Sequence, residues 1–533
     1  MDCKPVQLPY QQTGYFSKII IDYLKGDEKL SPFYAHEVSV DGIKAAIAER
    51  KQFPTNRKLL VDQLQSQYAG VEPNEKVQQH IQQLHGENTF TITTAHQPNI
   101  FTGHLYFVYK ILHAIKLAAE LKQHLPELNF VPVFYMGSED ADLDELGHIF
   151  LFGERYEWKT TQKGAVGRMK VDKALLQLMD SISGQLLVFQ FGKEIIELLK
   201  ACYVEGSTIE TATFKLINSL FGDYGLVVLL PDNATLKRSF IPIVEKEFAT
   251  GFSHNAVQET VKSFPPEYKV QAAGREINLF YLKDDLRERI EEIDPGRFRV
   301  HGSDIVFDDQ SLKDEIDKYP ERFSANVILR PLYQEMILPN IAFIGGGGEI
   351  AYWLELKKVF DDVSIPFPVL VLRNSFLIVD KDQLDKISKL GFDVVDMFKK
   401  NEALLKALVE RDTTVQLKLD NEKISLSDLY SKIDQIANAV DVTLKRHVES
   451  LQKRAIEKLT TLEKKMLKAE KKKFEAQQRQ LQKLRTQLFP NNGLQERTEN
   501  LLPYYAKWGT GFIRSVHENS LALQQVLVIL TVG

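Results

Sequence analysis

Apolar residues in the first two-thirds of the chain fall into short runs that end in polar loops and then give way to helical spacing. Residues 90–95, 130–136, 226–230, 341–344 and 369–372 form such runs. Strands that are apolar on both faces belong to parallel sheets covered by helices on each side. Between the runs, Leu105, Val108, Tyr109, Leu112, Ile115 and Ala119 recur at helical intervals, as do Ile350, Trp353, Leu354 and Phe360. This alternation predicts an α/β fold with a doubly wound parallel sheet, whose ligands bind beyond the C-terminal ends of the strands.

The pattern divides the chain. Residues 1–155 carry the first part of the sheet core, 220–236 return a further strand, and 325–375 complete it. Residues 156–219 and 237–324 mix helical stretches with charged loops and read as two insertions. Residues 376–533 read as a helical domain with a tail. Within it, Leu444, Val448, Leu451, Ala455, Leu459, Leu462, Met466 and Ala469 follow heptad spacing, and Phe474, Leu481, Leu484 and Leu488 extend it less regularly. Neither glycine nor proline interrupts the run before Pro490. One helix of about 45 residues would span roughly 65 Å. Its apolar seam needs a partner, either residues 425–440 or a second subunit, so a coiled-coil homodimer is expected. Lys464, Lys465, Lys468, Lys471, Lys472 and Lys473 read as the solvated face of this helix, or as a contact for an anion at its base. The apolar run 521–533 reads as a docked strand or helix.

A chain of 533 residues exceeds one hydrophobic core. A net charge of -5 and a pI near 6.2 argue against nucleic acid or an anionic membrane as the main partner. Two cysteines, Cys3 and Cys202, are too few for a disulfide scaffold or a thiolate zinc site, so no zinc is expected. The first 14 residues lack an apolar signal core, and no apolar run reaches the roughly 20 residues of a membrane helix. The expected location is the cytoplasm.

Three polar segments follow expected strands. The first contains His96, Gln97, Asn99, Thr102, Gly103 and His104 at the start of a helix, where backbone N–H groups favour an anion. The second runs from Ser138 through Glu139, Asp140, Asp142, Asp144 and Glu145 to His148. Carboxylates this dense repel one another unless a cation or donor sits among them. A calcium loop is excluded because Glu145 and Leu151 stand where glycine and a bidentate glutamate are needed. The third is Gly345, Gly346, Gly347, Gly348 and Glu349, leading to Tyr352 and Trp353. Its glycines are free to adopt positive φ and to approach a ligand closely. Arg330 and Gln334 precede it and Arg373 follows the next strand; either arginine could bind carboxylate or phosphate, or serve as a structural ion-pair partner. Lys386, Ser388 and Lys389 imitate a synthetase lysine–serine loop but sit on an amphipathic helical pattern.

His96-Gln97 with Thr102-Gly103-His104-Leu105-Tyr106, Ser138-Glu139-Asp140, and the stretch from Ala325-Asn326 through Leu329-Arg330-Pro331 to Gly345 through Trp353 together resemble the bacillithiol biosynthesis cysteine-adding enzyme family. The lysine-rich coiled coil, Leu494 to Arg497 and Tyr504-Tyr505 extend the resemblance nearly end to end. It departs at His96 and His104, where the family usually carries glutamine and proline. The resemblance implies a Rossmann-like core similar to class I aminoacyl-tRNA synthetases, with connecting insertions and a C-terminal coiled coil. It implies a ligase that joins cysteine to glucosaminyl malate through an amide. ATP is the expected co-substrate, with magnesium as its companion. In that scheme His96, Glu139, Asp140 and His148 are catalytic. His96 and Gln97 meet phosphate charge, Glu139 and Asp140 hold the cysteine ammonium or magnesium, His148 takes the amine proton, and Arg330 or Arg373 binds the malate. Asn99, Thr102, Gly103, His104, Ser138, Gln334, Gly346, Gly347, Gly348, Glu349, Tyr352 and Trp353 complete the binding set. The alternatives are another amino-acid ligase or nucleotidyltransferase on the same core, or a non-catalytic coiled-coil assembly protein.

Overall fold

The computed structural model describes residues 5–72, 74–272 and 274–533; Cys3 and the first four positions of the N-terminal segment lie outside them. The chain forms two compact units, one of residues 5–378 with Gly493–Leu530, the other of Val379–Asn492 with the last three residues.

The first unit is built on five parallel strands: β1 (Thr89–His96), β2 (Asn129–Met136), β3 (Val227–Leu229), β4 (Asn340–Gly345) and β5 (Val369–Leu372). Their order is β5-β4-β1-β2-β3. All five coincide with the apolar runs, because a strand buried on both faces writes its burial directly into sequence. Helix α1 (Leu105–His124) and the helix Val40–Arg50 bury apolar stripes against β1, β4 and β5 in one cluster. Helix α2 (Arg330–Ile337) leads into β4, and α3 (Gly347–Trp353) leaves it. The Rossmann topology follows, with its switch point between β1 and β4, where the strand order reverses.

Residues 156–219 supply three helices, Lys173–Leu186, Gly192–Cys202 and Ile209–Phe221. Residues 237–324 hold more regular structure than their charge suggests. Besides helices, they form a second sheet of five antiparallel strands between Leu279 and Ala325. The closing segment packs with this unit, and Val526–Val532 pairs antiparallel with Pro5–Pro9. Cys202 is a buried free thiol.

In the second unit, α4 (Asp420–Val440) packs against α5 (Lys445–Lys471), and Lys423 pairs with Glu463 at 2.6 Å. The single long helix expected from the heptads is divided. A 3-10 turn at Lys472–Phe474 separates α5 from α6 (Glu475–Leu488), where the regular seam ends. Five of the six clustered lysines are exposed; Lys471 is half-buried. Lys386, Ser388 and Lys389 lie on an ordinary helix, Lys381–Lys389. Among the described residues, no helix is long and apolar enough to cross a membrane.

Candidate active site

The C-terminal ends of all five core strands open onto one cavity of about 360 Å³. Ala95 and His96 come from β1 and Tyr135 from β2, while Gly137, Pro231, Gly346 and Arg373 lie just beyond β2, β3, β4 and β5. Gln97, Glu139 and Gly347 all line it, so the three polar segments converge at the switch point. A cavity of this size suits a small molecule.

One wall is acidic, with each acid differently held. Glu139 forms an ion pair with Lys237, whose ammonium also donates to the carbonyl of Phe323 at 3.1 Å. Burial raises the Glu139 pKa, against the pull of Lys237. Behind it, Arg168 clasps Asp232 through two bonds of 2.7 Å. Burial opposes ionisation of Asp232, but Arg168 and Lys237 outweigh it and its pKa falls. Burial, with Asp232 nearby, pushes Glu210 up to about 8. Asp140 accepts from Gln97 at 3.0 Å and from the backbone N–H of Ala141 at 2.7 Å, with Arg287 4.0 Å away.

The same lining carries cations. Arg330 donates to the Tyr352 hydroxyl at 2.8 Å and to Gln334 at 3.4 Å, and its guanidinium lies 5.7 Å from the Tyr135 ring centroid. Among the described residues no carboxylate pairs with it. Arg373, by contrast, bonds Glu496 at 2.7 Å, with both side chains buried. It lines the cavity as the structural ion-pair partner that its sequence position also allowed. Lys110, on the buried side of α1, donates to the Ala95 carbonyl at 3.0 Å and pairs with Glu349. Glu349 in turn accepts from the Gly346 N–H at 2.7 Å and so ties the glycine segment to α1. None of the four glycines takes positive φ; their role is close approach. A Cβ on Gly345 would come within 2.9 Å of the Phe343 ring.

Of the expected site residues, His96, Gln97, Ser138, Glu139, Asp140, Arg330, Gly346, Gly347, Gly348, Glu349, Tyr352 and Arg373 line the cavity. Burial drives the His96 pKa well below the ordinary histidine value, assisted by Lys110, so the ring is neutral. The remainder lie elsewhere. His148, the expected proton acceptor, bonds the Asp144 carbonyl through Nδ1 at 2.7 Å and lies outside the cavity lining. His104 contacts the Thr498 carbonyl at 3.2 Å, and burial pushes its pKa down to about 4. Asn99 and Thr102 are buried supports of a strained turn in which Phe101, Thr102 and Gly103 all have positive φ. Asn500 holds that turn by donating to the carbonyls of Phe101 (3.0 Å) and Gly103 (2.5 Å). Gln334 is buried against Glu335, and Trp353 stacks on Phe343 with centroids 4.5 Å apart; both are core residues.

The lining also holds residues to which the sequence gave no site role: Tyr106, Lys110, Tyr135, Glu145, Arg287 and Asn326. Tyr106, Glu145 and Asn326 lie within segments that the sequence singled out, whereas Lys110 is a charge inside the largely buried helix α1. Arg287 reaches the site from the second sheet, which charge had disguised. Among the described residues, no cluster of three or more His, Cys, Asp and Glu is arranged to hold a metal ion.

Two family models account for nearly the whole chain. Residues 1–374 match the N-terminal Rossmann-like domain of bacillithiol biosynthesis BshC, and residues 376–532 match its C-terminal coiled-coil domain. Curated relatives named "Putative cysteine ligase BshC" align end to end. The Flavobacterium psychrophilum protein is 40% identical, covering 96% of each chain. That of Flavobacterium johnsoniae is 39% identical, covering 98% of this chain and 99% of its own, and that of Christiangramia forsetii is 36% identical, covering 99% of both. With a Rossmann sheet whose strand ends share one charged cavity, a helical second unit, and relatives of this similarity over full length, the chain belongs to the bacillithiol biosynthesis BshC family and is a ligase.

Proposed function

We propose that this cavity joins the carboxyl group of cysteine to the amine of glucosaminyl malate, with ATP activating the carboxyl. The observation that carries the reading is a charged guanidinium, Arg330, with no carboxylate in an ion pair with it among the described residues, in a cavity that also holds the acids Glu139 and Asp140. A carboxylate-bearing substrate supplies the charge that Arg330 lacks, and a bidentate contact orients it. An ammonium group fits the acidic wall, where Asp140 is held in place by Gln97.

A free carboxylate does not acylate an amine at a useful rate in water, so the carboxyl must carry a phosphate-type leaving group, which ATP supplies. His96, being neutral, contributes a hydrogen bond rather than a charge, and Gln97 adds an amide donor on the same loop. Magnesium would enter on the nucleotide phosphates. The arm would pair with a second copy through its exposed apolar positions, among them Leu429, Ile436 and Leu451. The setting is cytoplasmic. The test is direct: purified protein should convert cysteine, glucosaminyl malate and ATP to bacillithiol, identified by mass spectrometry against competing amino acids. Preferential use of another amino acid, or no product, would overturn the reading.

A further inference from the structure

The structure assigns to Glu145 the task of accepting the proton from the attacking amine. This rests on the ligase reading above and adds the catalytic base which that reading lacks.

Three acids of one segment line the cavity: Glu139, Asp140 and Glu145. Two are engaged. Glu139 is paired with Lys237, and Asp140 accepts from Gln97 and its own turn. Glu145 differs: among the described residues its carboxylate has no hydrogen-bond or ion-pair partner. Its backbone is nonetheless fixed. It sits in the one-turn helix Leu143–Leu146, and its N–H donates to the capping Asp142 carboxylate at 3.1 Å. The side chain is solvent-exposed while lining the cavity, so a proton taken up there has an exit to water.

The charged and titratable groups around it are Asp142 and Asp140 on its own segment, Tyr106 on α1, and Arg497 near Tyr106. Partial burial, then the repulsion of Asp142 and Asp140, raises the Glu145 pKa and makes it a stronger base than an ordinary glutamate. His148, the base expected from sequence, is not among the residues lining the cavity.

The step balances as follows. The substrate ammonium first gives a proton to the Glu145 carboxylate, which passes it to solvent; the neutral amine nitrogen then attacks the acyl carbon of cysteine activated as a mixed phosphoric anhydride, and a C–N bond forms. The C–O bond to phosphate breaks, and the phosphate leaves with its electron pair. The nitrogen's remaining excess proton leaves with the phosphate, giving a neutral amide.

The test compares two nucleophiles. Hydroxylamine is unprotonated at neutral pH and needs little help from a base; the glucosaminyl amine does need it. Glu145→Gln should lower amide formation by about 100-fold or more, the usual scale for losing a general base. Its cysteine hydroxamate formation should stay within about threefold of wild type. Glu145→Asp should recover part of the loss, and the E145Q deficit should shrink as pH rises and solvent deprotonates the amine. Equal loss with both nucleophiles, or no loss with either, would overturn the assignment. Wild-type protein that makes neither amide nor hydroxamate would instead sink the ligase reading, and Glu145's role with it.

Discussion

Arg330 and Arg373 flank the same glycine segment, and sequence alone made them equivalent. Their partners separate them. Arg330 ends on tyrosine and glutamine, whereas Arg373 ends on the buried carboxylate of Glu496. Arg330→Gln should therefore raise KM for glucosaminyl malate at least about tenfold and leave KM for cysteine nearly unchanged, since a charge-assisted bond to one substrate contributes about 1.5–3 kcal/mol. Steady-state kinetics with each substrate varied in turn would show it; equal effects on both would refute it. Glu496→Gln should act on stability first. It strands a buried guanidinium, a loss of about 3–5 kcal/mol, measurable by denaturant titration.

Elements fared unequally, for a physical reason. The five core strands and α1 were legible because burial on every side demands unbroken apolar character or a 3.6-residue stripe. The second sheet was not. Its longest strand, Leu286–Asp294, carries Arg287, Glu288, Arg289, Glu291, Glu292 and Asp294, and only Ile290 is fully buried. A half-exposed strand of that composition reads as a charged loop. In the helical unit, Leu426 and Leu459 are half-buried along the groove where α4 packs on α5. Leu459→Asp should weaken that pairing by about 1–2 kcal/mol and reduce amide hydrogen-exchange protection across α4 and α5; unchanged protection would mean that this contact does not hold the pair.

Across the first unit, buried histidines couple stability to pH, and His113 joins His96 and His104 in doing so. His113 on α1 has its Nε2 bonded to the Ala522 carbonyl at 2.7 Å, and its Nδ1 accepts from the Asn374 N–H at 3.1 Å. These partners require the neutral ring, and burial pushes its pKa from 6.5 to about 4. Between those values the unfolded chain binds a proton that the folded one refuses. The contribution is present above pH 6.5 and is lost as pH falls toward 4, a change of roughly 3 kcal/mol. His113→Gln should flatten the pH dependence of unfolding free energy in that window; an unaltered slope would show that other groups dominate.

By itself the sequence determined the sheet's five strands, the heptad-bearing arm and the three loops that reach the cavity, because local periodicity and turn chemistry respond to burial along one stretch of chain. The tertiary structure decided which polar groups are spent and which are free. Glu139 and Arg373 are neutralised by Lys237 and Glu496, each about a hundred residues away in the chain, while Arg330 and Glu145 are not. Charge pairing depends on distance in space, and spacing along the chain carries no record of it.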